Sequence, residues 1–118
     1  MTQTPEITFH CDVEKSVEDG VIVTTVRCHG RLVSQTAGQV KDIVKPLIPE
    51  GGSIVIDLKD VTFLDSLGLG TLVGLKVSAL NEGYCTLTFE NLSPRIQELL
   101  RMTNLTKLFS SNSAGSVN

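Results

Sequence analysis

The stretch SIVIDLKDVTFLDSLGLGTLVGLKVSAL, residues 53–80, combines two hydrophobic patterns that require different secondary structures. Its first part, residues 53–58, is a short apolar and β-branched run, which is typical of a strand covered on both faces. From Ser66 to Asn81 the apolar side chains recur at helical spacing, and Gly83 is suited to end that helix. A buried strand followed by a helix predicts an α/β fold around this segment.

The segment before it, residues 7–30, contains two β-rich runs joined by Asp19-Gly20. This dipeptide favours a two-residue type I′ turn, because both turn positions need a positive φ. Such a turn places Cys11 opposite Cys28 and His10 opposite His29. Alternate residues of the hairpin then form a face suited to the core: Ile7, Phe9, Cys11, Val13, Val17, Ile22, Val26 and Cys28.

Two further helices and one further strand complete the expected order. Helical spacing follows Gly30, and Pro46 should disturb the end of that helix. Residues 84–89 predict a strand, and Ser93-Pro94 predicts the N-cap and first turn of a third helix. The order strand, strand, helix, strand, helix, strand, helix predicts a small mixed β-sheet with an N-terminal antiparallel hairpin and helices packed against it.

Length and composition favour a single domain over residues 1–118. We expect order over about residues 6–109 and a disordered polar tail at residues 110–118. The net charge of −3 and the four Phe and one Tyr do not provide the basic, aromatic surface that binds nucleic acids. No leader pattern opens the chain, and no apolar run reaches the roughly 18 residues that cross a bilayer. We therefore expect a cytoplasmic protein that binds neither nucleic acid nor membrane.

His10-Cys11 and Cys28-His29 suggest a zinc site made of two cysteines and two histidines. Successive side chains on a strand point to opposite faces, so the sheet would separate the cysteines from the histidines. We therefore expect buried thiols, exposed imidazoles and no metal site. A disulfide between Cys11 and Cys28 is sterically feasible, but a reducing compartment disfavours it.

Ser66 stands where the chain turns into the long helix, and two roles are open to it. Its hydroxyl could cap free backbone N–H groups of the first helical turn, which would be a purely structural role. A phosphate on the same oxygen would meet the positive end of the helix dipole and also the negative charge of Asp65. The helix after it carries one charge, Lys76, so its outer face is suited either to docking a partner or to burial within the domain.

A rival pattern, that of a dinucleotide-binding loop, is formed by three glycines of this helix and an acidic residue further on. They are Gly68, Gly70, Gly74 and Glu90. In that motif the glycines follow the strand at once, whereas residues 59–67 intervene here. No serine has a G-x-S-x-G context, and the nearby aspartates are typical of solvated loops. The sequence therefore predicts no enzyme activity and no cofactor.

Residues 53–75 resemble the strand, Asp-Ser loop and helix of STAS domains, in particular those of bacterial anti-sigma factor antagonists. The resemblance extends from VIVTTVRCHGRL, residues 21–32, to NLSPRIQELLRMTNLTKLF, residues 91–109. It implies the family fold, a small mixed sheet with helices on one side.

The resemblance also implies a partner switch. In the family, the unphosphorylated antagonist binds an anti-sigma factor that is a serine kinase, and phosphorylation of the antagonist's loop serine dissociates the complex. Matched to the family motif, the phosphoacceptor is Ser66 and its acidic neighbour is Asp65. A serine phosphatase would reverse the modification, and a homodimer remains open. The partner-binding surface would include both residues and the first helical turn, that is Leu67, Gly68, Leu69 and Gly70.

Two positions differ from many antagonists. Leu67 stands where a second serine or threonine usually follows the acceptor, and Val33 stands where many members have an acidic residue. STAS domains also serve as scaffolds of stress-signalling assemblies and as modules of transporters. The alternative expectation is therefore a constitutive scaffold or regulatory subunit whose binding does not depend on phosphorylation.

Overall fold

The computed structural model describes residues 8–110, and its strands and helices follow the expected order, with a 3-10 helix added after the first helix and a short helix added at the end. The strands are β1 (Phe9–Glu18), β2 (Val21–Leu32), β3 (Gly52–Leu64) and β4 (Cys85–Glu90). The helices are α1 (Ala37–Val44), a 3-10 helix (Lys45–Glu50), α2 (Ser66–Glu82), α3 (Pro94–Met102) and α4 (Thr106–Ser110). One sheet has the order β1-β2-β3-β4, with β1 antiparallel to β2 and the other pairs parallel. The predicted mixed sheet with helices on one side is confirmed.

The hairpin turns at Asp19 and Gly20, whose φ angles of 53° and 81° are both positive as a type I′ turn requires. The predicted pairing of Cys11 with Cys28 and of His10 with His29 is confirmed. The two sulfur atoms are 3.8 Å apart as free thiols, and Cys28 is buried. The histidine rings stack on the opposite face of the sheet, so the four residues cannot share one ion.

The predicted core face of the hairpin is only half correct. The residues far from the turn are buried, for example Val26 and Cys28. By contrast, Val13, Val17 and Ile22 are 48%, 70% and 55% exposed. β3 begins to pair with β2 only at Val23, so the turn projects beyond the rest of the sheet, and these side chains stay exposed among residues 8–110. The predicted contribution of Ile7 lies outside the described residues, as do the ends of the chain at residues 1–7 and 111–118.

β3 is longer than the sequence predicts. It continues past Leu58 to Leu64, immediately before the long helix, instead of giving way to a loop. The register of β2 and β3 shifts at Lys59, where two charged residues interrupt the apolar run, and again between Val61 and Phe63; such shifts are typical of β-bulges. Each shift changes which residues point inward, so Val61 is buried after the first and Leu64 after the second.

The core lies between the sheet and the helices and is almost entirely apolar, built by residues such as Val26, Ile54, Ile56, Leu72 and Leu87. Lys76, the single charge of α2, is also buried. Its Nζ donates a hydrogen bond to the carbonyl oxygen of Leu87. Burial lowers the pKa of the Lys76 ammonium, because a low-dielectric surrounding disfavours the charged form.

The remaining helix boundaries follow the predicted signals. The hydroxyl of Ser93 accepts a hydrogen bond from the backbone N–H of Ile96 at 3.2 Å, so the predicted cap of α3 is confirmed. α1 ends at Val44, and Pro46 lies in the 3-10 helix that follows. Gly83 ends α2 with a φ of 72°, in the left-handed region that glycine adopts readily.

Candidate functional site

Asp65 is the N-cap of α2, so the structural prediction that Ser66 caps this helix is wrong by one residue. The Asp65 carboxylate accepts a hydrogen bond from the backbone N–H of Gly68 at 2.7 Å, through Oδ1. Its backbone is extended, with a φ of −99° and a ψ of −179°, as expected for a capping residue. Ser66 is thereby the first residue of the helix.

The second carboxylate oxygen of Asp65 reaches a different loop. Oδ2 accepts a hydrogen bond from the backbone N–H of Ser34 at 3.2 Å, in the connection between β2 and α1. The backbone N–H of Asp65 also donates to the carbonyl of Leu32 at 3.3 Å. One side chain therefore holds the start of α2 and the neighbouring loop together at the end of the sheet.

Ser66 and Leu67 are the exposed residues of this turn. Among residues 8–110, no group forms a hydrogen bond with the Ser66 hydroxyl. Leu67 is 61% exposed, which is high for a large apolar side chain next to a helix start. The turn therefore presents a free hydroxyl beside an apolar contact point.

Gly68 has a structural reason to be glycine. A Cβ built on it would overlap the backbone carbonyl oxygen of Leu32, and it would also crowd the Leu64 side chain at 3.1 Å. The same construction on Gly70 or Gly74 meets nothing within 4 Å. The glycine at position 68 thus allows α2 to approach the end of β2, whereas the next two leave open surface.

The dinucleotide-binding alternative does not fit this geometry. Gly68, Gly70 and Gly74 all lie inside α2 and not in a loop before it. The Gly68 N–H, which would face a phosphate in such a motif, is bonded to the Asp65 carboxylate. The sequence pattern disfavoured this motif because residues 59–67 stand between the predicted strand and the glycines. That objection was wrong, because β3 continues to Leu64. The position of the glycines inside α2 nevertheless excludes a phosphate-binding loop.

A groove of about 360 Å³ runs between α1 and α2, starting beside the exposed turn. We call it the α2 groove. The α2 side contributes mostly small or apolar residues, namely Leu67, Gly70, Thr71, Gly74, Leu75 and Ser78. The α1 side contributes Lys41 and Lys45, which are both exposed. The exposed turn and the groove form one continuous surface that is apolar on one wall and basic on the other.

The sequence suggested that the weakly charged face of α2 is either buried in the domain or exposed for docking, and each description fits a different face of the helix. One face of the helix is buried in the domain, at Leu72, Leu75 and Ala79. Another face remains accessible along the groove, at Gly70 and Gly74. The helix can therefore support the sheet and contact a partner at the same time.

A family model described as the STAS domain matches residues 12–116. The chain belongs to the STAS domain family. In its Asp-Ser turn, on which the sequence resemblance rested, Asp65 is the cap and Ser66 is the exposed neighbour. Among residues 8–110 of this STAS domain, no helix has the length and apolar character needed to cross a membrane.

Comparison with known proteins gives relatives of this STAS domain along nearly its full length. It is 32% identical over 97 residues to the anti-sigma-B factor antagonist of Bacillus subtilis, covering 82% of this chain and 84% of that protein. The crystal structure of an anti-sigma factor antagonist from Mycobacterium paratuberculosis matches with a TM-score of 0.70 at 24% identity, covering 92% and 88% of the two chains. The phosphorylated form of the Bacillus cell fate determinant SpoIIAA matches with a TM-score of 0.64 at 18% identity, covering 84% and 87%.

Sequence reasoning missed three residues that line or support this candidate site: Ser34, Lys41 and Lys45. The Ser34 N–H comes from a loop far away in sequence, and no local pattern indicates that it bonds to Asp65. Lys41 in α1 and Lys45 at its C-cap do carry a local signal, because residues four apart along a helical turn lie on the same side. Val33, which stands where many family members have an acidic residue, is buried at 5% exposure, so it contributes to packing and not to the exposed surface.

Proposed function

We propose that the protein is a cytoplasmic anti-sigma factor antagonist. It binds an anti-sigma factor that is also a serine kinase, and phosphorylation of Ser66 by that kinase ends the complex. A serine phosphatase restores the binding form. The observation that carries the proposal is the exposed Ser66 hydroxyl next to Asp65, whose side chain is the N-cap of α2. The 32% identity to a named anti-sigma-B factor antagonist supports the choice of partner.

Ser66 is suited to modification because the fold does not depend on its hydroxyl. The group is exposed, and Asp65 already satisfies the N–H of Gly68. Adding a phosphate therefore breaks no hydrogen bond between described residues. The modification would change the surface charge while leaving the fold in place.

A phosphate on Ser66 would alter the turn electrostatically. It adds about 1.5 to 2 negative charges at neutral pH. At about 5 Å from the Asp65 carboxylate, the repulsion is on the order of 1 to 7 kcal/mol for effective dielectric constants of about 80 to 20. The helix dipole offsets about 0.3 to 2 kcal/mol of this. An acidic or apolar partner group docked on the turn would be expelled.

The partner surface is the exposed turn together with the α2 groove. Leu67 offers the apolar anchor, and Gly70 and Gly74 let a partner backbone come close because they lack side chains. Lys41 and Lys45 on the opposite wall favour a partner segment that carries acidic groups. The proposed binding mode is therefore an apolar contact at the turn with acidic residues along the groove.

The test starts with the protein isolated from its native host, in growth and under stress. Tandem mass spectrometry of the tryptic peptide from Asp60 to Lys76 reports directly on Ser66, which is the only serine in that peptide. We expect phosphate on Ser66 with an occupancy that changes between conditions. A well-detected peptide without phosphate in every condition would contradict the switch.

Binding is tested with variants of the same chain used as bait in host lysate, with the captured proteins identified by mass spectrometry. Ser66→Ala should retain a serine-kinase anti-sigma factor, and Ser66→Asp should lose it. Ser16→Asp is the matched control, because Ser16 is an exposed serine on the hairpin, in β1. Loss of the partner in both aspartate variants would point to a general charge effect instead of a switch at Ser66.

The second candidate function is a constitutive scaffold or regulatory subunit. It is favoured by Leu67, which stands where a hydroxyl residue is usual, and by Val33, a buried apolar residue where many members have an acidic one. In this case the partners co-purify equally with wild type, Ser66→Ala and Ser66→Asp. The same captures therefore distinguish the two candidates.

A further inference from the structure

The face of the sheet away from the helices carries a cluster of histidine and aspartate side chains. His10 in β1 lies directly opposite His29 in β2, and Asp12 follows two residues later on the same face. His10 and Asp12 are exposed, and His29 is partly buried with 24% of its side chain accessible. The cluster lies at the sheet end of the hairpin, where the backbone is fixed by pairing on both sides of β2.

The three side chains are close enough to share one ion. One donor atom from each of His10, Asp12 and His29 lies within 4.8 Å of the other two. Ligand atoms about 2.0 to 2.2 Å from a common metal ion lie about 3.0 to 3.6 Å from each other. The Asp12 Oδ2 atom and the His29 Nε2 atom are already 2.9 Å apart. The donor atoms must move closer together to bind one ion, and the exposed His10 side chain is the member with most freedom to do so.

The orientation of His29 is that of a metal ligand supported by a carboxylate. Its Nδ1 atom is 2.9 Å from the Oδ2 atom of Asp60, and its Nε2 atom faces Asp12. A metal-bound imidazole binds through one nitrogen and donates the N–H of the other, commonly to a carboxylate. Asp60 is in register with His29 because of the bulge in β3, so this support is built into the sheet.

We propose that His10, Asp12 and His29 bind a divalent transition-metal ion and that Asp60 orients the imidazole of His29. Two imidazoles and one carboxylate suit Zn²⁺ and its first-row neighbours, whereas Mg²⁺ and Ca²⁺ prefer oxygen ligands. The two carboxylates match the two positive charges of the ion. Three protein ligands leave at least one coordination position for water or for a donor from a partner.

This ligand set differs from the two-cysteine, two-histidine set that the sequence suggested. The cysteines point to the core side of the sheet, so they cannot join the histidines. The carboxylate of Asp12 takes their place on the outer face. The sequence predicted no metal site because it offered only the cysteines as further ligands beside the histidines. A site that uses Asp12 replaces that prediction.

The test uses the full chain without an affinity tag and Zn²⁺ alone as the titrant. Nuclear magnetic resonance of the histidine rings is decisive, because the sequence has two histidines and both belong to the proposed site. We expect both ring signals to shift saturably with about one ion per chain. His10→Gln and Asp12→Asn should weaken binding by more than about tenfold, and Asp60→Asn by about tenfold.

Two control variants separate this site from other ways of binding zinc. Glu14→Gln removes a carboxylate from the same face of β1 that is bonded to Arg27 at 2.9 Å instead, and it should leave the affinity unchanged. Cys11→Ala removes a thiol from the core side and should also leave it unchanged. Circular dichroism checks that each variant is folded. Binding that survives His10→Gln but is lost in Cys11→Ala, or the absence of a saturable shift, would overturn the proposal.

Discussion

Asp65 and Ser66 are neighbours with different tasks, since one holds the structure and the other faces the solvent. Asp65 accepts hydrogen bonds from Gly68 and Ser34, whereas the exposed Ser66 hydroxyl has no such role among the described residues. The division leaves the serine available for modification. It also means that stability measurements and binding measurements should respond to different residues of the same turn.

Substitution of Asp65 should therefore destabilise the domain and substitution of Ser66 should not. We expect Asp65→Ala to lower the free energy of unfolding by about 1 to 2 kcal/mol, because a cap and a link to the Ser34 loop are lost. Ser66→Ala should change it by less than about 0.5 kcal/mol. Urea denaturation followed by circular dichroism gives both values. An equal loss in the two variants would mean that Ser66 shares the capping.

Lys76 should make stability depend on pH in the alkaline range. Burial lowers the pKa of Lys76 in the folded state below the ordinary lysine value of 10.5, which the unfolded chain keeps. Between the two values the unfolded chain binds more protons, so the contribution of Lys76 to the free energy of unfolding rises with pH. Below the folded-state pKa the penalty of the buried charge is fully present.

The contribution of Lys76 is measured by comparing wild type with Lys76→Met. The cysteines also ionise in the alkaline range, but they are present in both proteins. Denaturation midpoints measured from about pH 7 to about pH 10 should show wild type gaining stability relative to the variant as the pH rises. Methionine keeps most of the buried stem and cannot ionise. Parallel curves for the two proteins would contradict a lowered pKa at Lys76.

The capping residue could not be assigned from the sequence alone. Asp and Ser are about equally good N-caps, so the dipeptide Asp65-Ser66 permits a helix start at either position. The choice depends on where β3 ends and on the Ser34 N–H, and both are set by packing between distant segments. Ser93, by contrast, is followed by a proline that fixes the start of α3, and its role was predicted correctly.

At the scale of elements, the approach of α2 to β2 depends on one glycine. A side chain at position 68 would overlap the Leu32 carbonyl, whereas position 70 on the same helix is open. The two glycines appear equivalent in the sequence. The structure assigns the first to packing between elements and leaves the second for contacts outside the domain.

The same substitution at the two positions should have opposite effects. Gly68→Ala should lower the free energy of unfolding by about 1 to 3 kcal/mol, because the helix must shift to relieve the overlap. Gly70→Ala should raise it by up to about 1 kcal/mol, because alanine is the better helix former. Thermal unfolding of the pair provides the measurement. Similar losses in both variants would show that position 70 is also packed.

The end of β3 was harder to predict than its beginning. The apolar run of residues 53–58 is a clear strand signal, but Lys59 and Asp60 break it with two charged residues in succession. In the structure the strand continues through them by means of a bulge, and Asp60 projects towards His29 on the outer face. A bulge follows from pairing with β2, which a pattern in one segment cannot reveal.

At the scale of the whole molecule, the elongated shape follows from the hairpin. The principal dimensions are 53 × 31 × 21 Å, and the turn of the hairpin extends beyond the rest of the sheet. Its register was predictable because Asp19-Gly20 fixes it locally. The exposure of Val13 and Val17 was not predictable from the sequence, because it depends on how far β3 and the helices extend along the hairpin.

The contact between Gly68 and Leu32 has a consequence for how such domains can diverge. Position 68 is constrained by the fold, while its neighbours Leu67 and Gly70 point outward and carry no comparable constraint. After gene duplication, two copies could therefore acquire different partners by changes on either side of an unaltered glycine. Several such regulators could then operate in one cell with little cross-talk, each retaining the same scaffold.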